Sequence, residues 1–235
     1  MVWYACTLRA EIIKKELAMP KYDLLMFDMD GTFIDSAHFH ISAYRRFFDR
    51  YKIDVELGDT ILGMGFTIED FFHNIGVPDA RIDEVYEKLW DFYAHDVDDL
   101  IRAIPLADGA KEVFVELENR GYRMSVVTNS LQPLAERILA VHGLKDCFEA
   151  VEGATQHESD KEKRCGYVRD KHCAQGSILL VGDAGRDIEI ANAAGWDSCL
   201  AATNIGWAAD PREVVEKFSP TYVAREFPEL LTILD

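Results

Sequence analysis

Short apolar runs alternate with helical patterns along most of this chain. Runs that are typical of buried strands lie at residues 22–27, 123–127, 178–181, 198–201 and 221–224. Between several of them, apolar residues recur at helical spacing, over residues 110–120, 134–142 and 188–194. Strands that alternate with helices favour a parallel sheet with helices on both faces. The pattern therefore predicts a three-layer α/β fold, with a Rossmann-like parallel sheet between two layers of helices.

One segment, residues 34–104, interrupts this alternation. It is rich in aromatic residues at helical spacing and predicts helices over residues 37–51, 68–73 and 80–96. We interpret it as an inserted α-helical cap domain. The predicted organisation is an N-terminal extension at residues 1–20, a core domain made of residues 21–33 and 105–235, and a cap domain at residues 34–104.

Each of the three strongest predicted strands ends in a cluster of polar residues. The first is followed by Asp28-Met29-Asp30, the second by Thr128-Asn129-Ser130, and the third by the run from Gly182 to Asp187. The carboxyl ends of neighbouring parallel strands meet at one edge of the sheet, where ligands bind in folds of this kind. Any one of these polar clusters could be an ordinary loop. Three polar clusters at the same edge of the sheet indicate a functional site.

Asp28 and Asp30 carry the strongest chemical signal. Residues i and i+2 of an extended chain point to the same side, and Gly31 lets the chain turn away behind them. A buried acid pair costs folding free energy, which favours a role in chemistry. One carboxylate can attack a phosphoryl group to give an aspartyl phosphate, while the other moves a proton.

Further acids predict a metal ion beside this pair. Close carboxylates repel each other unless a cation lies among them, and Asp183 and Asp187 supply more oxygen atoms. A site of this kind suits a hard cation, and we expect Mg²⁺. The simpler interpretation, that Asp183 or Asp187 only caps the following helix, stays open, and for Asp187 the two roles are compatible.

The second cluster and a later basic segment offer groups for phosphoryl oxygens. Thr128 and Asn129 have a hydroxyl, an amide and backbone N–H groups, although a strand end and a turn also explain them. A lysine that offsets the charge of the transferred group is expected in residues 159–164. For Lys163 and Arg164, a solvated helix start is the competing interpretation.

Composition excludes several classes of protein. The 235 residues include 25 basic and 42 acidic side chains, a net charge of −17, which argues against nucleic acid or an anionic membrane as a partner. No apolar run approaches the roughly 20 residues of a membrane span, and charges interrupt the N-terminal segment, unlike a signal peptide. Five scattered cysteines are typical of a reduced, cytoplasmic protein rather than of a disulfide framework or a zinc site.

Together these motifs resemble the haloacid dehalogenase superfamily, in particular its phosphatases with a helical cap inserted after the first strand. Residues 28–32 match the first motif, DxDGT, and residues 126–129 match the second, a strand that ends in Thr or Ser. Residues 182–187 match the fourth motif, GDxxxD, and Lys161 best matches the lysine of the third. The resemblance covers about residues 21–234.

The resemblance implies roles for the acids. Asp28 would be the nucleophile, and Asp30 the general acid and base. Mg²⁺ would be held by Asp28, the backbone carbonyl of Asp30 and Asp183, with Asp187 orienting the metal shell. The dehalogenases of the superfamily lack the second acid of the first motif, so Asp30 argues against carbon–halogen cleavage.

The resemblance also implies how the phosphoryl group is bound. Gly31, Thr128 and Asn129 would hold it, and Lys161 would steady both the nucleophile and the phosphate. Proline often follows this lysine in the family, whereas Glu162 follows it here, so Lys163 remains an alternative.

Within the superfamily, the chain is similar to the phosphoglycolate phosphatase and β-phosphoglucomutase subgroup. Residues 35–40 resemble the segment after its first motif, with His40 in the place of a hinge histidine of the mutases, and residues 62–66 resemble its cap loop. The mutases have an arginine in that loop for the second phosphate of a sugar, where this chain has Phe66, Thr67 and Ile68. This difference favours a phosphatase.

The predicted function is Mg²⁺-dependent hydrolysis of a small phosphomonoester, similar to phosphoglycolate or a sugar phosphate, by a monomer or homodimer. A phosphomutase is the main alternative. A non-catalytic regulatory protein is less favoured, because all the expected catalytic groups are present. A signalling receiver is also less favoured, because a receiver has its acceptor acid on a central strand and no helical insert. The order Asp28, Thr128, Lys161, Asp183 argues against it.

Overall fold

A computed structural model describes residues 19–55, 68–207 and 210–235. Its centre is a parallel six-stranded sheet in the order β3-β2-β1-β4-β5-β6. The strands are β1 (Leu24–Phe27), β2 (Met124–Leu131), β3 (Ala150–Ala154), β4 (Ile178–Gly182), β5 (Asp197–Ala201) and β6 (Tyr222–Ala224). Helices flank this sheet, so the predicted α/β fold is confirmed.

The α-helices of the described residues fall into two groups along the chain, and two short 3₁₀ helices lie at Asp79–Arg81 and Lys145–Cys147. Those between β1 and β2 are α1 (Ala37–Tyr51), α2 (Ile68–Asn74), α3 (Ile82–His95), α4 (Asp98–Ile101) and α5 (Ala110–Asn119). Those that follow β2 are α6 (Gln132–His142), α7 (Lys161–His172), α8 (Gly185–Ala194), α9 (Pro211–Phe218) and α10 (Glu229–Ile233).

Strand β1 lies in the middle of the sheet and is buried along its whole length. Leu25 and Phe27 join the larger hydrophobic core, whereas Leu24 and Met26 face a second core formed with α7 and α8. Phe27 is in register with Val126 of β2 and with Val181 of β4. The residues that follow β1 therefore emerge between the ends of its two neighbours.

Strands β2 and β3 differ from the prediction. β2 continues to Leu131, through the polar cluster, whereas the apolar run ends at residue 127. Its pairing with β3 shifts register between Val127 and Leu131, so polar residues extend the strand at an irregularity. The sequence pattern does not predict β3, because this edge strand is only partly buried and has the short, mixed sequence AVEGA.

Helices α1 to α4 form the helical cap of the predicted fold. The chain leaves and re-enters the core side by side: Ile34 pairs with Leu106 in an antiparallel bridge, and the Asp35 N–H donates to the Pro105 carbonyl at 2.9 Å. Two adjacent connections therefore attach the cap to the core. The exact domain limits stay a prediction.

Two sequence predictions fall on residues outside the described ranges. These are most of the N-terminal extension, up to residue 18, and the cap loop at residues 62–66. Each helix within residues 19–55, 68–207 and 210–235 is too short or too polar to span a lipid bilayer.

A cluster of phenylalanine rings lies against β1. The ring centroid of Phe114, on α5, lies 5.2 Å from that of Phe27, 4.9 Å from that of Phe33 and 5.1 Å from that of Phe148, each in edge-on geometry. Edge-on pairs at these distances stabilise a core beyond the area that they bury. Because Phe27 directly precedes Asp28, the cluster also holds the backbone from which the first acid projects.

Phe114→Ala is expected to lower the free energy of unfolding by about 3–5 kcal/mol, because the deleted ring leaves a cavity in the core. Urea unfolding followed by circular dichroism measures the change. Val115→Ala is the matched control: its side chain is on the same helix but 46% exposed, and we expect a change below about 0.5 kcal/mol. Equal losses in the two variants would contradict the assigned role of the cluster.

Candidate active site

The turn after β1 brings the backbone against the end of β4. Gly31 has a φ of +76°, and a Cβ atom at this position would lie 2.5 Å from Asp183 Oδ2 and 2.9 Å from Trp207 Cδ1. Glycine adopts this conformation without strain, and its missing side chain leaves room for the carboxylate. Gly31 therefore lets the first motif lie directly beside Asp183.

Asp28 is buried at the end of β1 and pairs with the ammonium group of Lys161. Lys161 Nζ lies 2.5 Å from Asp28 Oδ1, and Thr32 Oγ1 donates to the other carboxylate oxygen at 3.3 Å. Burial raises the pKa of Asp28 to about 7, because the charge of Lys161 only partly offsets burial and the repulsion from Asp187.

Asp187 lies in the first turn of α8, which begins at Gly185 rather than at the predicted residue 188. Its Oδ1 is 2.6 Å from Lys161 Nζ, and its Oδ2 accepts a hydrogen bond from the Ala184 N–H at 3.2 Å. The second contact satisfies a free N–H at the helix start. Asp187 therefore supports the helix terminus and also lies in the acid cluster.

Asp28, Asp183 and Asp187 form a buried acid cluster, in which one carboxylate oxygen from each lies within 4.8 Å of the others. Burial and the charges of Asp28 and Asp187 raise the pKa of Asp183 well above its usual value. Lys161 supplies one positive charge against three carboxylates. Such an oxygen-rich, negatively charged set fits a hard divalent cation, and the identity of that cation as Mg²⁺ stays a proposal.

Asp30 faces a different set of groups. Its Oδ1 accepts a hydrogen bond from Ser36 Oγ at 2.6 Å and lies 3.2 Å from His40 Nε2. Its Oδ2 accepts from Ser130 Oγ at 2.7 Å and from Thr128 Oγ1 at 3.2 Å. Burial opposes ionisation, but the hydrogen bonds from His40, Ser130 and Ser36 outweigh it and hold the pKa of Asp30 below its usual value.

Thr128 and Asn129 lie in the polar end of β2. Thr128 Oγ1 accepts a hydrogen bond from the Ser130 N–H at 3.1 Å. Arg164 of α7 donates from Nη2 to both the Thr128 carbonyl and Asn129 Oδ1, at 2.9 Å each. The structure thus brings the second predicted motif next to the first.

Lys161, rather than its alternative Lys163, lies at the acid cluster. Lys161 is the first residue of α7 and is buried, whereas Lys163 is exposed and lies 3.6 Å from the Glu158 carboxylate. Residues i and i+2 of a helix do not share a face, so only one of the two can face the sheet. Burial lowers the pKa of Lys161, but Asp187 and Asp28 outweigh this and hold it above its usual value.

Sequence reasoning did not assign Ser36, Ser130, Arg164 or Trp207 to the site. Ser130 has a usable signal, because it lies two residues after Thr128 in a strand and shares its side. No sequence signal identifies Trp207. Its backbone N–H donates to Asp183 Oδ2 at 2.5 Å, and 24 positions separate the two residues in the chain. Contacts of this kind follow from the packed fold alone.

A family model matches most of this chain. The model for haloacid dehalogenase-like hydrolases matches residues 25–201, which contain all the predicted site residues. The chain belongs to this family. The predicted superfamily and the predicted enzyme class, a hydrolase, are therefore confirmed.

Relatives in the family are similar at low identity. Tyrosine-protein kinase PtkA of Mycobacterium tuberculosis is 26% identical over 204 residues, which cover 85% of this chain and 67% of PtkA. Pyrophosphatase PpaX of Halalkalibacterium halodurans is 25% identical over 218 residues, which cover 89% of this chain and 95% of PpaX. A haloacid dehalogenase-like hydrolase from Streptococcus pneumoniae superposes with a TM-score of 0.74 at 20% identity, over 91% of this hydrolase and 98% of that chain.

In the metal-free hydrolase, Asp28→Asn is expected to raise the free energy of unfolding at pH 8. The pKa of this carboxyl rises from 3.8 to about 7 on folding, so the folded state binds the proton more tightly than the unfolded state. The free energy of unfolding therefore falls as the pH rises from about 4 to about 7. Asparagine is neutral throughout, and the gain is expected to be at least about 1 kcal/mol. Urea unfolding in EDTA measures it.

At pH 5 the difference between Asp28→Asn and the wild type is expected to shrink, because Asp28 is then protonated. Asp146→Asn, at an exposed position in the short 3₁₀ helix Lys145–Cys147, is the control and should change stability little at either pH. If Asp28→Asn is less stable than the wild type at pH 8, the ion pair with Lys161 outweighs burial and repulsion.

Proposed function

We propose that this hydrolase is a Mg²⁺-dependent phosphatase that acts on a small phosphomonoester through an aspartyl phosphate. The different environments of Asp28 and Asp30 carry the proposal. Asp28 pairs with Lys161 inside the acid cluster, whereas Asp30 accepts hydrogen bonds from hydroxyl groups. Without a metal ion, the pKa of Asp28 is raised and that of Asp30 is lowered, which is the reverse of what a nucleophile and a general acid need at neutral pH. A divalent cation beside Asp28 would lower the pKa of Asp28 and keep the nucleophile ionised.

In the first half of the proposed reaction, a carboxylate oxygen of Asp28 forms a bond to phosphorus. The bond between phosphorus and the ester oxygen breaks, and Asp30 gives its proton to the departing oxygen. Asp30 has to be protonated at this point. The negative charge of the bound phosphoryl group favours that state, because a like charge nearby raises a carboxyl pKa.

In the second half, water attacks phosphorus, the bond to Asp28 breaks, and Asp30 accepts a proton from the water. The hydrogen bonds that favour ionised Asp30 suit this step. Asn129 would donate to a phosphoryl oxygen, and Lys161 would offset the phosphoryl charge. The Thr128 hydroxyl, which donates to Asp30 Oδ2, would donate to a phosphoryl oxygen when Asp30 is protonated. Mg²⁺, held by Asp28, Asp183 and the Asp30 carbonyl with Asp187 beside them, would neutralise charge on the acids and the phosphoryl group.

The alternative functions differ in the substrate and in the group that accepts the phosphoryl group. The names of the relatives include a pyrophosphatase and a tyrosine kinase, so pyrophosphate and a tyrosine hydroxyl belong in the activity tests. A phosphomutase would return the phosphoryl group to a second hydroxyl of the same sugar. We favour water as the acceptor and a small phosphorylated metabolite as the substrate; a cytoplasmic monomer or homodimer is the expected setting.

With Mg²⁺ present, the wild type is expected to release 4-nitrophenol from 4-nitrophenyl phosphate, and Asp28→Asn should lower kcat by at least about a thousandfold, because the nucleophile is lost. EDTA should abolish turnover and added Mg²⁺ should restore it. Asp146→Asn is the control for activity, and circular dichroism checks that each variant is folded.

Turnover by folded Asp28→Asn near the wild-type rate would exclude Asp28 as the nucleophile. A panel of phosphorylated metabolites, pyrophosphate, and ATP with a tyrosine peptide then separates the substrates. Faster transfer between two hydroxyls of one sugar than to water would indicate a phosphomutase, and no transfer from any of them with Mg²⁺ present would indicate a non-catalytic protein.

A further inference from the structure

Arg164 is a buried cation beside the predicted phosphoryl-binding residues, and its simplest sequence interpretation is a solvated helix start. We infer that Arg164 is a positioning residue that orients the Asn129 amide and holds the Thr128 backbone for phosphoryl binding. The inference rests on the proposed phosphatase function and adds to it the residue that prepares the phosphoryl-binding groups.

Arg164 is buried and connects two parts of the core through hydrogen bonds. Arg164 is 3% exposed and follows Lys161 by three residues in α7, so both side chains lie on the helix face towards the sheet. Its Nη2 donates to the Thr128 carbonyl and to Asn129 Oδ1 at 2.9 Å each, and its Nη1 donates to the Glu158 carbonyl at 3.2 Å. One guanidinium therefore ties the end of β2 to the start of α7.

This arrangement costs free energy. All three acceptors of Arg164 are neutral. Within the described parts of the chain, the carboxylates of Glu158, Asp160 and Glu152 lie near enough to favour its charge, but none is within ion-pair distance of it. Burial lowers the pKa of Arg164, and its Nε is buried without a hydrogen-bond partner among these residues. A buried positive charge without a direct ion pair is unfavourable for folding and favours a further anion close by, and local conflicts of this kind are typical of functional sites.

The bond from Arg164 decides which way the Asn129 amide points. Arginine has donors only, so the atom that faces it must be the amide oxygen. The NH₂ group of Asn129, with two donors, is then directed away from Arg164 and is available to a phosphoryl oxygen. A rotated amide would present its own oxygen to the phosphoryl group and repel it.

The forked geometry of arginine matters as well as its charge. A single Nη2 group bridges the Thr128 carbonyl and Asn129 Oδ1, while the neighbouring Nη1 reaches Glu158. The planar guanidinium fixes these directions together, whereas a lysine ammonium is a point charge on a flexible stem. Arg164→Lys is therefore expected to keep the charge and lose the orientation.

The test is a double-mutant cycle in binding of inorganic phosphate, measured by calorimetry with Mg²⁺ present. Arg164→Met is expected to weaken binding roughly tenfold. In the Asn129→Ala background, Arg164→Met should weaken phosphate binding less than about threefold, because the effects of two mutations on binding are not additive when the residues act together. A purely structural role would give equal factors in the two backgrounds, and that result would overturn the inference.

Two further variants distinguish the orientation of Asn129 from a simple effect of positive charge. Lys163→Met, which removes an exposed cation on the same helix, should leave phosphate affinity unchanged. Arg164→Lys should bind phosphate nearly as weakly as Arg164→Met, and wild-type affinity in that variant would overturn the inference in favour of charge alone. If Arg164→Met does not fold, Arg164→Lys completes the cycle.

The proposed function and this inference fail in different ways. A wild type that binds no phosphate with Mg²⁺ present contradicts the phosphatase and the role of Arg164 together. A wild type that binds phosphate, with additive effects of Arg164 and Asn129, contradicts the role of Arg164 alone.

Discussion

The site depends on burying several like charges at the ends of two adjacent strands. The parallel register of β1 and β4 brings Asp28 and Asp183 together, and the start of α8 adds Asp187. Lys161 balances part of this charge, yet burial and repulsion still raise the pKa of Asp28 and Asp183. The metal-free fold therefore holds this cluster at a cost in stability, which a bound divalent cation would remove.

Two acids that are two residues apart in the sequence have different hydrogen-bond partners. Asp28 stays among the acids at the strand ends, whereas Asp30 reaches Ser130 of β2 and His40 of α1. Gly31, with its positive φ, turns the chain directly after both acids and leaves room for Asp183. Because His40 lies on the first cap helix, the environment of Asp30 is built from both core and cap, so the position of the cap bears directly on this carboxylate.

Local patterns in the sequence predict the parts that depend on neighbouring residues. Apolar runs locate β1 and β4, and the motif of residues 28–32 locates Asp28. The family resemblance favours Lys161 but leaves Lys163 as an alternative. The missing parts depend on distant packing: β3 is an edge strand held by its pairing with β2, and Arg164 meets Asn129 across 35 residues of chain. The sequence thus identifies the groups proposed to react better than the groups that orient them.

The central claim is that Asp28 accepts the phosphoryl group. Borohydride reduces an aspartyl phosphate to homoserine, so protein quenched in acid during turnover, then reduced and digested, can be mapped by peptide mass spectrometry. The account predicts homoserine at position 28, and only in samples that received substrate and Mg²⁺. Phosphate release without conversion at position 28, or with phosphate trapped on a different residue, would contradict it.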